Sequence, residues 1–115
     1  MATRPKIGEI WTAHEGTKTR PVLIINEGMG IEIDVNILRI TSQKPRHEFD
    51  VPLKNWKEAG LFKESVVRVT KITTVHYLQC KDLIGQISKE DMLEVKKALS
   101  KYYIESLDSY GEKGE

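Results

Sequence analysis

Ser65-Val66-Val67-Arg68-Val69-Thr70-Lys71-Ile72-Thr73-Thr74-Val75 is the longest β-favouring run in the chain, dominated by valine and threonine. Branching at Cβ stiffens χ1 and suits the pleated, half-buried surface of a sheet, so this run reads as a central strand. Arg68 interrupts the valines. Burying an unpaired charge is costly, so its guanidinium must point outward or find a partner.

Working toward the N-terminus, Ile31, Ile33, Val35 and Ile37 alternate with Glu32, Asp34 and Asn36, the period of a half-buried strand over residues 31–40. Glu27-Gly28-Met29-Gly30 reads as the turn before it. Arg20-Pro21 opens Val22-Leu23-Ile24-Ile25, a continuous apolar run suited to a strand buried on both faces, with the proline at its first position. Residues 14–19 read as a polar loop, and Glu9–Ala13 as a first short strand. Between the alternating strand and the central one, residues 47–53 alternate again until Pro52 weakens them, and Asn55–Gly60 resembles one helical turn closed by glycine.

Toward the C-terminus, His76–Lys81 is ambiguous and Leu83–Ile87 could be a short strand broken by Gly85. Ser88 then stands as an N-cap with Asp91 three positions on, followed by Met92, Val95, Leu99 and Tyr102. That spacing predicts an amphipathic helix over about 89–107 with one face on the sheet. Several short strands and one terminal helix describe a mostly β chain with a C-terminal α-helix, folded as a small barrel or strongly bent antiparallel sheet. Layered α/β architecture is disfavoured because no helix separates the early strands. The expectation is a single domain over residues 1–110 and a flexible polar tail at 111–115.

Composition narrows the function. A chain of 115 residues has room for one core, and 39% hydrophobic with 30% charged residues is ordinary for a globular protein. No apolar run approaches the roughly 18–20 residues of a membrane span, and the N-terminus meets no apolar signal core, so the expected location is cytoplasmic. Cys80 is the sole cysteine, which leaves no intramolecular disulfide and too few thiols for a cysteine-based zinc site. His14, His47 and His76 show no ligand spacing, so neither a metal nor another cofactor is expected. The formal net charge is +1, but residues 100–115 carry −2, leaving +3 on residues 1–99. A mildly basic body permits a local phosphate site without announcing one.

Four segments in register, Gly8-Glu9-Ile10-Trp11, His14 through Ile25, Ile40-Thr41-Ser42-Gln43 and Ser65-Val66-Val67-Arg68, together with Ile84-Gly85-Gln86-Ile87-Ser88 before the helix, resemble the MazF/PemK toxin family. The likeness covers about residues 7–104. It implies a small SH3-like β-barrel with a C-terminal helix, a homodimer neutralised by a small antitoxin, and sequence-selective cleavage of single-stranded RNA. It further implies that the RNA's own 2′-hydroxyl is the nucleophile, leaving a 2′,3′-cyclic phosphate and a 5′-hydroxyl.

Such a reaction needs an acceptor for the 2′ proton, a cation for the charge developing on phosphate, and a proton for the departing 5′ oxygen. By the resemblance Arg20 contacts the scissile phosphate, and a guanidinium fork suits that better than an ammonium. Thr41 and Ser42 match the family's strand-end hydroxyls, which position rather than abstract, since a hydroxyl is a weak base at neutral pH. Gln43 closes that motif and is assigned with Ser42 to substrate binding. Arg68 matches the arginine that, in the PemK branch, works with an acid two residues later. Here that position holds Thr70, which shares a strand face with Arg68 and is assigned to substrate binding, but offers no carboxylate. His14 and Glu15 fall at the family's loop position and are assigned to substrate contact. The catalytic candidates are therefore Arg20, Thr41 and Arg68. Trp11, Trp56, Phe62 and Tyr77 are of the kind that can stack bases, but aromatics in so small a domain are mostly core, and none is assigned to the site.

Two other readings fit the same residues. A non-catalytic module of this fold could hold RNA or protein, which Thr70 in place of the acid favours. A toxin of the same fold could act on a protein such as DNA gyrase, but Arg20, Thr41 and Arg68 would then share no purpose.

Overall fold

Val22, Leu23 and Ile24 are all fully buried. Successive side chains leave a strand on opposite faces, so a continuous apolar run must feed two separate cores. The computed structural model, which describes residues 4–111, resolves both. Its strands are β1 (Glu9–Glu15), β2 (Lys18–Asn26), β3 (Asp34–Thr41), β4 (Asp50–Pro52), β5 (Val66–His76) and β6 (Cys80–Gln86), followed by the helix α1 (Lys89–Leu99). They form one antiparallel sheet in the order β4-β5-β3-β2-β1-β6. Leu23 joins Ile10, Leu38, Ile40, Val67 and Val69 in a core capped by Val95 and Ala98 of α1. Val22 and Ile24 join Trp11, Ala13, Val35, Ile37, Val75 and Cys80 on the other face. No helix among the described residues is long and apolar enough to cross a membrane.

The expected loop at 14–19 shrinks to a two-residue turn. Glu15 pairs with Lys18, and Gly16 adopts φ +61, the left-handed conformation that a tight hairpin requires at its first turn position. Pro21 consequently lies inside β2 rather than at its start. It faces Thr12 of β1, while the ladder to β3 begins only at Val22, so its missing N–H removes no rung there. The alternating strand starts at Asp34, later than its periodicity predicts, and Ile31 is 96% exposed. Positive-φ glycines at 28 and 30 and a hydrogen bond from the Glu32 amide to the Met29 carbonyl hold the preceding residues in a turn. Of the alternation over 47–53, only the three residues of β4 pair.

The central strand β5 is paired on both sides but not evenly. Leu38 faces Ile72 whereas Arg39 faces Arg68, so Val69, Thr70 and Lys71 drop out of the ladder with β3. Such a bulge bends the strand and increases its twist, and it lets the first residues of β5 pair with β4 as well.

The sheet is not closed by hydrogen bonds between β4 and β6; residues 54–60 fill the gap. Gly60, at φ +94, ends this helical turn. Its amide donates to the Lys57 carbonyl and the Leu61 amide to the Trp56 carbonyl, the paired bonds of a Schellman cap. A Cβ at Gly85 would lie 2.1 Å from the Ala59 carbonyl oxygen, so the approach of the turn to β6 depends on that glycine. The turn is also tied to α1. Ser88 caps the helix by accepting from the Asp91 amide. Asp91, 2% exposed, accepts from the amides of Lys54 and Asn55 at 2.9 and 2.8 Å. The helix itself is shorter than its sequence spacing predicts. After Leu99 the chain makes a π-type turn (Ser100–Ile104) and a 3-10 turn (Glu105–Ser109). The extra residue rotates the apolar face, so Tyr103 rather than Tyr102 packs on the core. Of the expected tail, residues 112–115 lie outside the described residues.

Candidate functional site

The second core ends at one level on adjacent strands, and charge begins there. Along β1 the face carrying Trp11 and Ala13 continues to Glu15; along β2, Ile24 and Val22 continue to Arg20; along β3, Val35 and Ile37 continue to Arg39 and Thr41. Register makes these neighbours: Ala13 faces Arg20, Val22 faces Arg39, and Arg39 faces Arg68. Two arginines directly opposite on a sheet repel, and each is met by a different partner.

Glu15 answers one pair. Its Oε2 accepts from the Arg39 guanidinium, and its Oε1 lies 3.9 Å from Arg20 Nε. That second oxygen is shielded from water and accepts no hydrogen bond. Gln43 answers the other pair, its Oε1 accepting from Arg68 Nη2 at 2.7 Å and from Arg46 Nη2 at 3.2 Å. Arg68 Nε stays buried without a partner, an unspent donor at a site where unmade hydrogen bonds are costly. The Gln43 amide donates to Thr41 Oγ1 at 3.2 Å, which leaves the hydroxyl's own proton free to be donated. The connection after β3 is pinned where the Arg46 amide donates to buried Asp50 at 2.8 Å.

Arg20, Arg39, Thr41, Gln43, Arg46 and Arg68 surround one cavity of about 190 Å³. Four guanidiniums, two of them within reach of the Glu15 carboxylate, make it a ready anion site, and guanidinium forks match phosphate geometry. Arg20 and Thr41 also border a larger groove of about 380 Å³, which runs past Ser42 toward Pro21, Leu61 and Ile84.

Of the sequence candidates, the fold thus gathers Arg20, Thr41, Gln43 and Arg68 around one cavity, places Glu15 against two of its arginines, and puts Ser42 in the adjoining groove. His14 is not with them. Neighbours on a strand point to opposite faces, and His14 lines a separate hollow with His76, Gln79 and Lys81. Thr70 falls within the bulge of β5 and does not line the arginine cavity. Sequence reasoning missed Arg39 and Arg46. Arg39 was within reach, because it sits two residues before Thr41 and must share its face. Arg46 gave no local signal, since its place depends on how the connection from β3 to β4 folds. No group of three or more histidine, cysteine or acidic side chains among the described residues is arranged to hold a metal ion.

The family model described as PemK-like, MazF-like toxin of type II toxin-antitoxin system matches residues 6–103. Solved structures of similar fold include a mycobacterial endoribonuclease in complex with its cognate antitoxin, 20% identical with TM-score 0.74, the match covering 84% of this chain and 92% of that one. The Mycobacterium tuberculosis toxin MazF-mt6 is 23% identical with TM-score 0.70, over 81% and 93%. A MazE-MazF structure from Deinococcus radiodurans is 16% identical with TM-score 0.74, over 87% and 95%. No curated protein matches the chain in sequence.

Proposed function

This chain belongs to the PemK-like, MazF-like toxins of type II toxin-antitoxin systems, and from that membership and the arginine cavity we propose that it is an endoribonuclease cutting single-stranded RNA by metal-independent transesterification. The observation that carries the reading is the convergence of Arg20, Arg39, Arg46 and Arg68 with Thr41 on one cavity. A phosphodiester seated there meets cations fixed in advance, and preorganised charge commonly contributes most to stabilising a phosphoryl transition state.

In this reading the 2′-hydroxyl oxygen bonds to the adjacent phosphorus as the bond from phosphorus to the 5′ oxygen breaks. The 2′ proton passes to water, while Glu15, whose Oε1 is shielded from solvent, holds Arg20 and Arg39 in place. Arg20 and Arg68 take the charge that develops on the non-bridging oxygens, and Thr41 donates its hydroxyl proton to hold the phosphate in line. The departing 5′ oxygen takes its proton from water. Because the nucleophile is the 2′-hydroxyl, DNA is not a substrate. A homodimer and a small inhibitory antitoxin are the corresponding partners, and the cytoplasm is the corresponding place of action.

The test is to incubate the protein with mixed single-stranded RNAs in excess chelator and map the ends. Cyclic phosphate and 5′-hydroxyl ends are expected, with Arg20→Ala reducing kcat by about 10²–10³-fold. A 5′-phosphate product rejects the mechanism. RNA held equally well by wild type and Arg20→Ala without any cutting points to a binding module instead.

A further inference from the structure

Phe62 is 98% exposed and so stands outside the core to which small-domain aromatics ordinarily go. Its position is not that of a loose loop. The Schellman cap at Gly60 turns the chain so that Leu61 packs against the first core while Phe62, the next residue, faces outward. The turn leading to it is locked on one side by Asp91 of α1 and on the other by its close approach to Gly85. A large apolar ring thus stands in water two residues beyond a fixed turn.

The ring borders the 380 Å³ groove together with Pro21, Leu61 and Ile84, and that groove shares Arg20 and Thr41 with the arginine cavity. A ligand filling both spaces must offer an anionic group to the guanidiniums and a flat, largely apolar group within a residue's reach of it. A nucleotide has this shape. The groove is of a size usual for small-molecule clefts, and Ser42 at its margin offers a hydroxyl to a polar base edge.

We propose that Phe62 is the stacking platform of a nucleobase subsite in the groove adjoining the arginine cavity, where it holds a base next to the phosphate bound by Arg20. The identity of the polymer as RNA rests on the endoribonuclease reading. Phe62 then sets affinity and base preference at that position, while Arg20 and Thr41 carry the chemistry. Stacking on an aromatic ring contributes to single-strand binding largely independently of phosphate contacts.

The test uses wild type, Phe62→Ala and Phe62→Trp with short single-stranded RNAs carrying the fluorescent base 2-aminopurine at successive positions. Wild type is expected to quench the probe at one position, Phe62→Ala to lose that quenching and bind about ten-fold more weakly, and Phe62→Trp to recover both. For cleaved RNAs, Phe62→Ala should raise KM by a similar factor with kcat nearly unchanged. Replacing the quenched nucleotide by an abasic one should make wild type and Phe62→Ala indistinguishable. Unaltered affinity and KM in Phe62→Ala overturn the proposal while leaving the ribonuclease reading intact. Quenching without cutting does the reverse. A changed oligomeric mass in Phe62→Ala with RNA binding untouched assigns the ring to a protein interface and also overturns the subsite.

Discussion

Glu15 shows how one side chain can decide what its neighbours do. Without it, Arg20 and Arg39 stand together at the rim of the second core with no opposite charge; with it, both are oriented toward the same cavity. Because it holds Arg20 and Arg39 in place, Glu15→Gln is expected to lower kcat by about ten-fold, less than the loss on removing Arg20 itself. RNA affinity is meanwhile kept or improved, because a negative charge has left a phosphate site. Single-turnover rates and filter binding separate the two effects. A kcat equal to that of wild type shows that Glu15 does not orient Arg20 for the reaction.

Among the elements, the turn at 54–60 does more than its length suggests. It closes the gap between the edge strands, receives the buried carboxylate of α1 and presents Phe62. Its seat on β6 exists because residue 85 lacks a side chain: a Cβ there meets the backbone carbonyl of Ala59 at 2.1 Å, and backbone cannot swing aside as a flexible side chain can. Gly85→Ala is therefore expected to lower stability by about 2–3 kcal/mol or more, as overpacking does, measured from urea unfolding. A midpoint equal to that of wild type shows that the turn is not seated as described. The bulge in β5 is the other consequential element. Dropping three residues from the ladder brings Arg68 opposite Arg39 and removes Thr70 from the cavity. The two-residue periodicity that puts Arg68 and Thr70 on one face holds only for an unbroken strand.

For the molecule entire, a formal net charge of +1 gives little long-range attraction for nucleic acid, so the electrostatic part of the affinity must come from the arginine cavity itself. Each phosphate contact to a single strand contributes about −0.7 to the slope of log K against log salt. Two or three contacts predict a slope of about −1.5 to −2, and Arg46→Ala should make it shallower by about 0.7. A slope several times steeper means that RNA follows a path over the body of the protein that the cavity does not account for.

How much of this was legible beforehand follows from the range of the forces involved. Periodicity, capping residues and apolar runs are local, so the order of residues suffices for a mostly β chain with a terminal helix, both faces of β2 buried, Ser88 as the N-cap, and Arg20 and Thr41 as strand-borne candidates of the right chemistry. It misleads at the hairpin of Gly16-Thr17, the start of β3 and the length of α1, where positive-φ glycines or a π-type turn override a smooth pattern. Tertiary packing alone brings Arg39 and Arg46 to Arg20 and Arg68, sets the Glu15 carboxylate beside Arg20 and Arg39, and leaves Phe62 in solvent at the edge of the adjoining groove. Those outcomes depend on cross-strand register and on a bulge, which are fixed by the packing of residues far apart in the chain; of them, only the shared face of Arg39 and Thr41 can be read from the spacing of neighbours.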